Sequence, residues 1–300
     1  MPTSIPLPLA SESIRCVDFA MSNNVDPGGT ALHPEILVVV ELPEPWPKPV
    51  GRHELLVDLV AAVFDRPENI RLLAAVPHGP APRVISFRPS VTGMMRSEQP
   101  LGDDSLAALE AVLDVPGTDV DTATGNRTIL VCTQGSHDMC CGVDGERLAT
   151  ELEKTRPDLE LFRVSHTGGH RFAPTAMTLP DGRMWAYLTT ELADGIIDRT
   201  ATDTAPQCRG WWGAPTGRAQ MAERAVFEQL GFVADQLERT VTVGVGEDPN
   251  LVDVVAGDRR WLVRVEPGRD VPTISCEMPA GEPVKPGREW DVISIVEQPT

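Results

Sequence analysis

Residues 128–174 read TILVCTQGSHDMCCGVDGERLATELEKTRPDLELFRVSHTGGHRFAP, and the order of patterns in them decides the fold. TILVC (128–132) is a short run of strand formers. Residues 143–155 set Leu148 and Leu152 one helical turn apart, which predicts a helix with a single apolar face. A second strand is predicted at 160–164, and a crossover through the helix should lay it parallel to the first. Beyond the loop, strands at 174–179 and 184–189 flank the tight-turn pair Asp181-Gly182, and a helix at about 191–199 follows. Strand, helix, strand, hairpin, helix is the order of a thioredoxin-like α/β fold.

Working upstream, the same plan recurs. ILVVVEL (36–42) reads as a buried strand, the Pro-rich loop 43–51 follows, and HELLVDLVAAVFD (53–65) reads as a helix. Strands at 71–76 and 83–88 and a helix at about 104–114 complete the series, with a linker at 115–127. Corresponding elements are offset by roughly 90 residues, the mark of an internal repeat. Residues 1–30 read as irregular. The last ninety residues differ: a helix at 217–236, a hairpin built from 252–255 and 261–265, and short strands at PTISC (272–276) and DVISIVE (291–297). The expected layout is a ligand-free thioredoxin-like unit at 1–118, a ligand-bearing thioredoxin-like domain at 119–210, and an α+β accessory cap at 211–300.

The bulk composition narrows the function. The 300 residues are 41% apolar and 23% charged, with a net charge of −18. Such a surface repels phosphate backbones and anionic membranes, so nucleic-acid and lipid-surface roles are disfavoured, while a basic partner protein would suit it. No early basic region followed by an apolar run marks a leader. The run ILVVV is far below the ~20 residues that span a bilayer. A cytoplasmic protein is expected. Six cysteines are too sparse for a disulfide scaffold in a reducing compartment. Three of them, Cys132, Cys140 and Cys141, fall within ten residues, which points to metal or redox chemistry.

Cys132 ends one predicted strand and Cys141 opens the helix after it; His166 and His170 follow the next parallel strand. The carboxyl ends of adjacent parallel strands share one edge of a sheet, so the two pairs should converge. Gly168 and Gly169 between the histidines permit close backbone approach. Two thiolates and two imidazoles suit zinc, and equally a [2Fe–2S] centre in which imidazoles replace two thiolates. Zinc-finger spacing is not met: eight residues separate Cys132 from Cys141, and 24 separate Cys141 from His166. The wide first loop favours the larger, two-iron object, yet spacing alone leaves both open.

CTQGSHDMCCG (132–142) and HTGGHRFAPTAMTLPDGRMWAYL (166–188) resemble motifs of the sucrase/ferredoxin-like family, which groups with thioredoxin-like ferredoxins and includes members with bis-histidinyl ligation. The resemblance is strongest over 128–210 and extends weakly to Gly29-Thr30-Ala31, Trp46 and residues 290–297. His166-x₃-His170 stands where ordinary thioredoxin-like ferredoxins have C-x₃-C. The resemblance implies a thioredoxin-like ferredoxin domain with a [2Fe–2S] cluster on Cys132, Cys141, His166 and His170. It further implies electron transfer or redox sensing with a redox partner protein, rather than small-molecule turnover. Two thiolates and two neutral imidazoles leave the oxidised centre neutral, where four thiolates would leave it at −2. Its potential should lie toward the Rieske range of about −150 to +300 mV, reduction should couple to proton uptake, and acid should release the cluster. Nothing supports the "sucrase" half of the name: no motif places a glycosidase-like carboxylate pair.

Other residues read more plainly. Cys140 stands beside Cys141 and could replace it. His137, in the ligand loop, reads as a solvated histidine, and Arg171 as a surface residue that could instead support the cluster edge or a partner's carboxylate. Cys16, Cys208 and Cys276 have no paired spacing and read as packing thiols. Trp211-Trp212 should pack the C-terminal segment onto the rest, and His33, His53 and His78 carry no role. Two competing functions remain. A thiol–disulfide protein needs an activated thiolate, usually in C-x-x-C, and a vicinal pair is a poor substitute. A structural zinc module would be colourless, whereas an iron–sulfur protein is brown.

Overall fold

The computed structural model describes residues 5–8, 14–91, 93–115, 117–123, 125–278 and 285–299. Helix α1 (Cys16–Ser22) precedes a series that runs twice. Its first pass is β1 (Ile36–Glu41), α2 (Val57–Phe64), β2 (Ile70–Ala75), β3 (Arg83–Pro89), β4 (Gly93–Pro100) and α3 (Ser105–Asp114), and the short β5 (Thr118–Asp121) follows. Its second pass begins with β6 (Thr128–Cys132). A π-helical turn at Cys141–Gly145 then leads into α4 (Glu146–Thr155), and β7 (Glu160–Val164), β8 (Ala176–Leu179), β9 (Arg183–Trp185) and α5 (Thr190–Ile197) follow. After β10 (Cys208–Trp211) come α6 (Gly217–Leu230), β11 (Arg239–Val243), β12 (Leu251–Ala256), β13 (Arg259–Asp270) and β14 (Arg288–Gln298).

Ten strands share one mixed sheet in the order β10-β9-β8-β6-β7-β2-β1-β3-β4-β5. β1 is parallel to β2 and antiparallel to β3, which is antiparallel to β4. β6 repeats this with β7, β8 and β9. Two thioredoxin-like units therefore lie edge to edge, the carboxyl end of β2 meeting that of β7 in antiparallel register at Ala75 and Val164. The Val76 N–H donates to the Arg163 carbonyl at 2.9 Å and the Ser165 N–H to the Ala74 carbonyl at 2.8 Å across this junction. Glu41 in the first unit occupies the register position that Cys132 holds in the second, Glu41 pairing with Ala75 as Cys132 pairs with Val164. The first unit thus has a buried carboxylate, ion-paired with Arg83, where the second has a thiol.

Both β1 and β6 are buried along their whole length, as central strands covered on two faces must be. Leu37, Val39 and Leu73 of the first unit share a core with Leu130, Phe162, Met177 and Met184 of the second. Each such side chain contributes roughly 1.5–3 kcal/mol when withdrawn from water. Trp212 lies in this shared core and its indole N–H donates to the Pro34 carbonyl, while the Arg239 guanidinium sits over the Trp211 ring at 4.1 Å.

The antiparallel sheet β11-β12-β13-β14 alternates buried and half-buried residues along β12, and α6 packs against its apolar side through Met221, Ala222 and Val226. A buried ionic quartet joins it to the large sheet. Arg183 donates to Glu223 at 2.7 and 2.9 Å and to Asp235 at 2.7 Å, and Arg239 reaches the same two carboxylates. Among the described residues no helix is long and apolar enough to cross a membrane.

Several expectations are corrected. β4 and β5 were not expected; GMMRSEQP and TDVD are polar because these two outermost strands are largely half-buried or exposed, so no covered face enforces an apolar pattern. Part of the expected linker at 115–127 is thus β5; residues 116 and 124 lie outside the described residues. β8 starts at Ala176, since Pro174 has no N–H for a ladder, and β9 already ends at Trp185. Helix α6 stops at Leu230, before Gly231 at φ +60°, and a 3₁₀ turn continues to Gln236. PTISC makes only an isolated bridge between Thr273 and Lys285. The irregular stretch 1–30 contains α1, and residues 1–4 and 9–13 lie outside the described residues.

Candidate metal centre

Because β6 and β7 run parallel, Cys132 and Val164 are register partners, and the loops leaving them start side by side. Cys132 is the last residue of β6, His166 stands two residues past β7, and Cys141 opens the π-helical turn. The two sulfurs and His166 Nδ1 all lie within 4.8 Å of one another, with Nδ1 3.8 Å from Cys132 Sγ and 3.9 Å from Cys141 Sγ. A glycine makes this closure geometrically available. A Cβ on Gly145 would overlap the Cys132 carbonyl oxygen, so the turn can press onto the end of β6 only without a side chain. Gln134 braces the loop: its Oε1 accepts from the His166 N–H at 2.9 Å and its Nε2 donates to the Pro47 carbonyl at 2.8 Å.

The electrostatics favour negative charge here. The Cys132 thiol is drawn far below the ordinary range, first by a hydrogen bond from Cys141 and then by His166, against the effect of burial. Cys141, the donor in that pair, is pushed up. Two cations stand close by. Arg71 donates to the His166 carbonyl at 2.8 Å, and the buried Arg209 donates to the Gly168 carbonyl at 3.0 Å and the Thr30 carbonyl at 2.5 Å. Burial pushes Arg71 down and Arg209 down to about 10, and the charges opposing that effect include the Cys132 sulfur. Among the described residues neither arginine forms an ion pair with a carboxylate, whereas Arg83, Arg96 and Arg183 all do. The Nε–H of Arg71 is buried without a partner. An unbalanced pair of partly desolvated cations beside two thiols is a setting for an anionic group.

Three of the four expected donors thus converge. His170 is placed differently: its Nδ1 is 3.2 Å from Asp138 Oδ2 and 3.3 Å from Cys16 Sγ, and its ring centre is 5.7 Å from that of His166. Gly168 and Gly169 take φ of +80° and +75°, and a Cβ on Gly169 would meet the Arg209 guanidinium at 2.8 Å. The vicinal cysteines part: Cys141 faces Cys132 and His166, while Cys140 joins Cys16, Cys276 and Asp138.

Other readings are overturned. His137 is no solvated loop histidine: its ring stacks on His166 at 3.6 Å and 12°, and burial, then the neighbouring His166, pushes it down to about 3. Cys16 and Cys276 are not incidental thiols, since both contact Cys140. Arg171 is turned inward, donating to Thr273 Oγ1 and covering the Phe172 ring at 4.5 Å. Cys208 is a buried packing thiol near Arg183. Arg71 and Arg209 escaped the sequence reading because no spacing relation ties them to the cysteines; Asp138, two residues before Cys140 in the ligand loop, carried a spacing signal that the reading passed over. A cleft of about 800 Å³ lined by His78, Arg83, Arg96, Arg127 and Arg156 lies apart from these donors, and its arginines pair with carboxylates.

The sequence profile of the family described as sucrase/ferredoxin-like matches residues 27–210. That span holds Cys132, Cys140, Cys141, His166 and His170 and leaves out Cys16 and Cys276. No curated protein and no solved structure matches the chain.

Proposed function

The chain belongs to the sucrase/ferredoxin-like family, and from that premise we propose that it is a [2Fe–2S] protein that carries or senses single electrons in the cytoplasm. The observation that carries this reading is the convergence of two buried thiols and His166 Nδ1 beside two arginines that form no ion pair with a carboxylate among the described residues. Cys132, Cys141, His166 and His170 would hold the cluster, which supplies reversible one-electron chemistry.

The chain's own residues then have distinct tasks. The cysteines supply anionic sulfur and His166 a neutral nitrogen. His137, stacked on His166, fixes the plane of that ring and keeps water from one face of it. His170 gives its Nδ1–H to Asp138, which leaves its second nitrogen as a donor and fixes the tautomer, as carboxylate–histidine pairs do in metal sites. Arg71 and Arg209 favour the state with the extra electron. The net charge of −18 suits docking on a basic redox partner.

The test is an absorption and EPR spectrum of anaerobically purified protein, with iron and acid-labile sulfide counted, wild type beside His166→Cys. Broad visible bands with an EPR signal only after reduction are expected, together with a spectral shift and a lower potential in the variant. A colourless protein holding stoichiometric zinc in these four residues would replace the proposal with a structural zinc site. A companion expectation concerns Arg71→Gln. Removing one nearby positive charge costs the reduced state on the order of 2 kcal/mol at an effective dielectric of about 20. That is roughly 90 mV downward for one electron, readable by redox titration. An unmoved potential would remove the arginine from the account.

A further inference from the structure

Next to the site just described, three more cysteines meet. Cys16 Sγ is 3.4 Å from Cys140 Sγ, which is 3.3 Å from Cys276 Sγ. Asp138 Oδ1 is 3.4 Å from Cys16 Sγ, and the four donor atoms all lie within 4.8 Å of one another. Cys16, Asp138 and Cys140 are buried and Cys276 is half-buried. The residues come from α1, from the ligand loop and from the C-terminal segment, the contacting thiols lying 124 and 136 positions apart in the chain. All six cysteines of the chain are free thiols.

We propose that Cys16, Cys140, Cys276 and Asp138 bind a zinc ion in a closed four-coordinate site. Zinc–sulfur bonds of about 2.3 Å at tetrahedral angles set sulfurs roughly 3.8 Å apart, so a small outward movement of the three thiols admits the ion. Three soft sulfurs and one carboxylate select zinc over calcium or magnesium. Zinc would form bonds to all three sulfurs as their thiol protons pass to solvent. Asp138 is ready as the fourth donor. Its Oδ1 accepts from the Cys140 N–H at 2.9 Å and its Oδ2 from the Cys276 N–H at 3.1 Å, which fixes the carboxylate beside the three sulfurs. Arg15, paired with Asp144 and bonded to Cys140, offsets part of the site's negative charge.

Such an ion would fasten α1 and the C-terminal segment to the loop that carries Cys141. It does not depend on the iron reading, because the two donor sets share no residue. The test is elemental analysis of the full chain, purified from zinc-supplemented cells. One zinc per chain is expected besides any iron. It should be lost in Cys16→Ser/Cys276→Ser with the iron kept, and kept in Cys132→Ser/His166→Ala with the iron lost. Should the first variant fail to fold, the wild-type chain still answers through N-ethylmaleimide labelling with and without added zinc, read by peptide mass. Zinc should protect Cys16, Cys140 and Cys276 together. A zinc-free wild type, zinc that survives Cys16→Ser/Cys276→Ser, labelling indifferent to zinc, or a Cys140–Cys276 disulfide in freshly purified protein would each overturn the site.

Discussion

On the proposed ligand set, Cys132→Ser is expected to purify colourless with almost no iron, while Cys140→Ser, one residue from the other proposed sulfur ligand, keeps the colour. The contrast rests on which way each side chain faces. Cys132 and Cys141 lie with His166 Nδ1 inside 4.8 Å, and Cys140 belongs to the neighbouring group of Cys16, Asp138 and Cys276. A serine hydroxyl at 132 stays protonated where a thiolate is required. The loss should therefore exceed the roughly 10–100-fold that removing a mere supporting hydrogen bond costs a metal site. Iron per chain and visible absorbance measure it. If Cys140→Ser bleached a folded protein while Cys132→Ser stayed brown, the assignment of sulfurs would be wrong.

Glu223→Ala should destabilise the protein by about 3–5 kcal/mol, the usual consequence of removing one member of a buried ion group. Arg183 has no solvent exposure and takes two hydrogen bonds from its guanidinium to Glu223; Arg239 adds a third at 2.5 Å. The alanine leaves two buried arginines facing Asp235 alone. Urea unfolding gives the number, with Glu223→Gln expected to lose less because some hydrogen bonds survive. A loss under about 1 kcal/mol would mean that the quartet is no better than a surface pair. The pH dependence has a sign. Burial raises the Glu223 carboxyl, but Arg183 and Arg239 outweigh it and hold the group below its ordinary value. Its contribution is then complete above the ordinary glutamate range and is lost as the pH falls through the lower folded value. Asp235 goes the other way, raised by burial, since its Oδ2 has no hydrogen-bond partner.

The fold was legible wherever burial imposed a pattern. β1 and β6 are apolar because they lie inside, and the parallel crossover between β6 and β7 follows from α4 between them. β4 and β5 were illegible because a rim strand has no such constraint. The candidate site shows the same division. Cys132, Cys141 and His166 are visible since strand ends and short loops bring them together locally. The positions of Arg71 and Arg209 depend on tertiary contacts between segments far apart, and Cys16 and Cys276 sit near opposite ends of the chain. Spacing carries no information about partners of that kind. His170 stands between the two cases: its motif marks it as a donor, and only the fold shows that Asp138 holds one of its nitrogens.

The meeting of β2 with β7 has a further consequence. A lone thioredoxin-like unit would leave the β7 edge open and could close it only by finding a second molecule, so its integrity would fall on dilution. Here the first unit is tethered to the second and supplies that edge at a high local concentration whatever the amount of protein present. It also brings Arg71 to the His166 carbonyl. The first half thus works as a permanently bound subunit, and the charge around the candidate donors of the second half is set within one molecule, independent of any monomer–dimer balance.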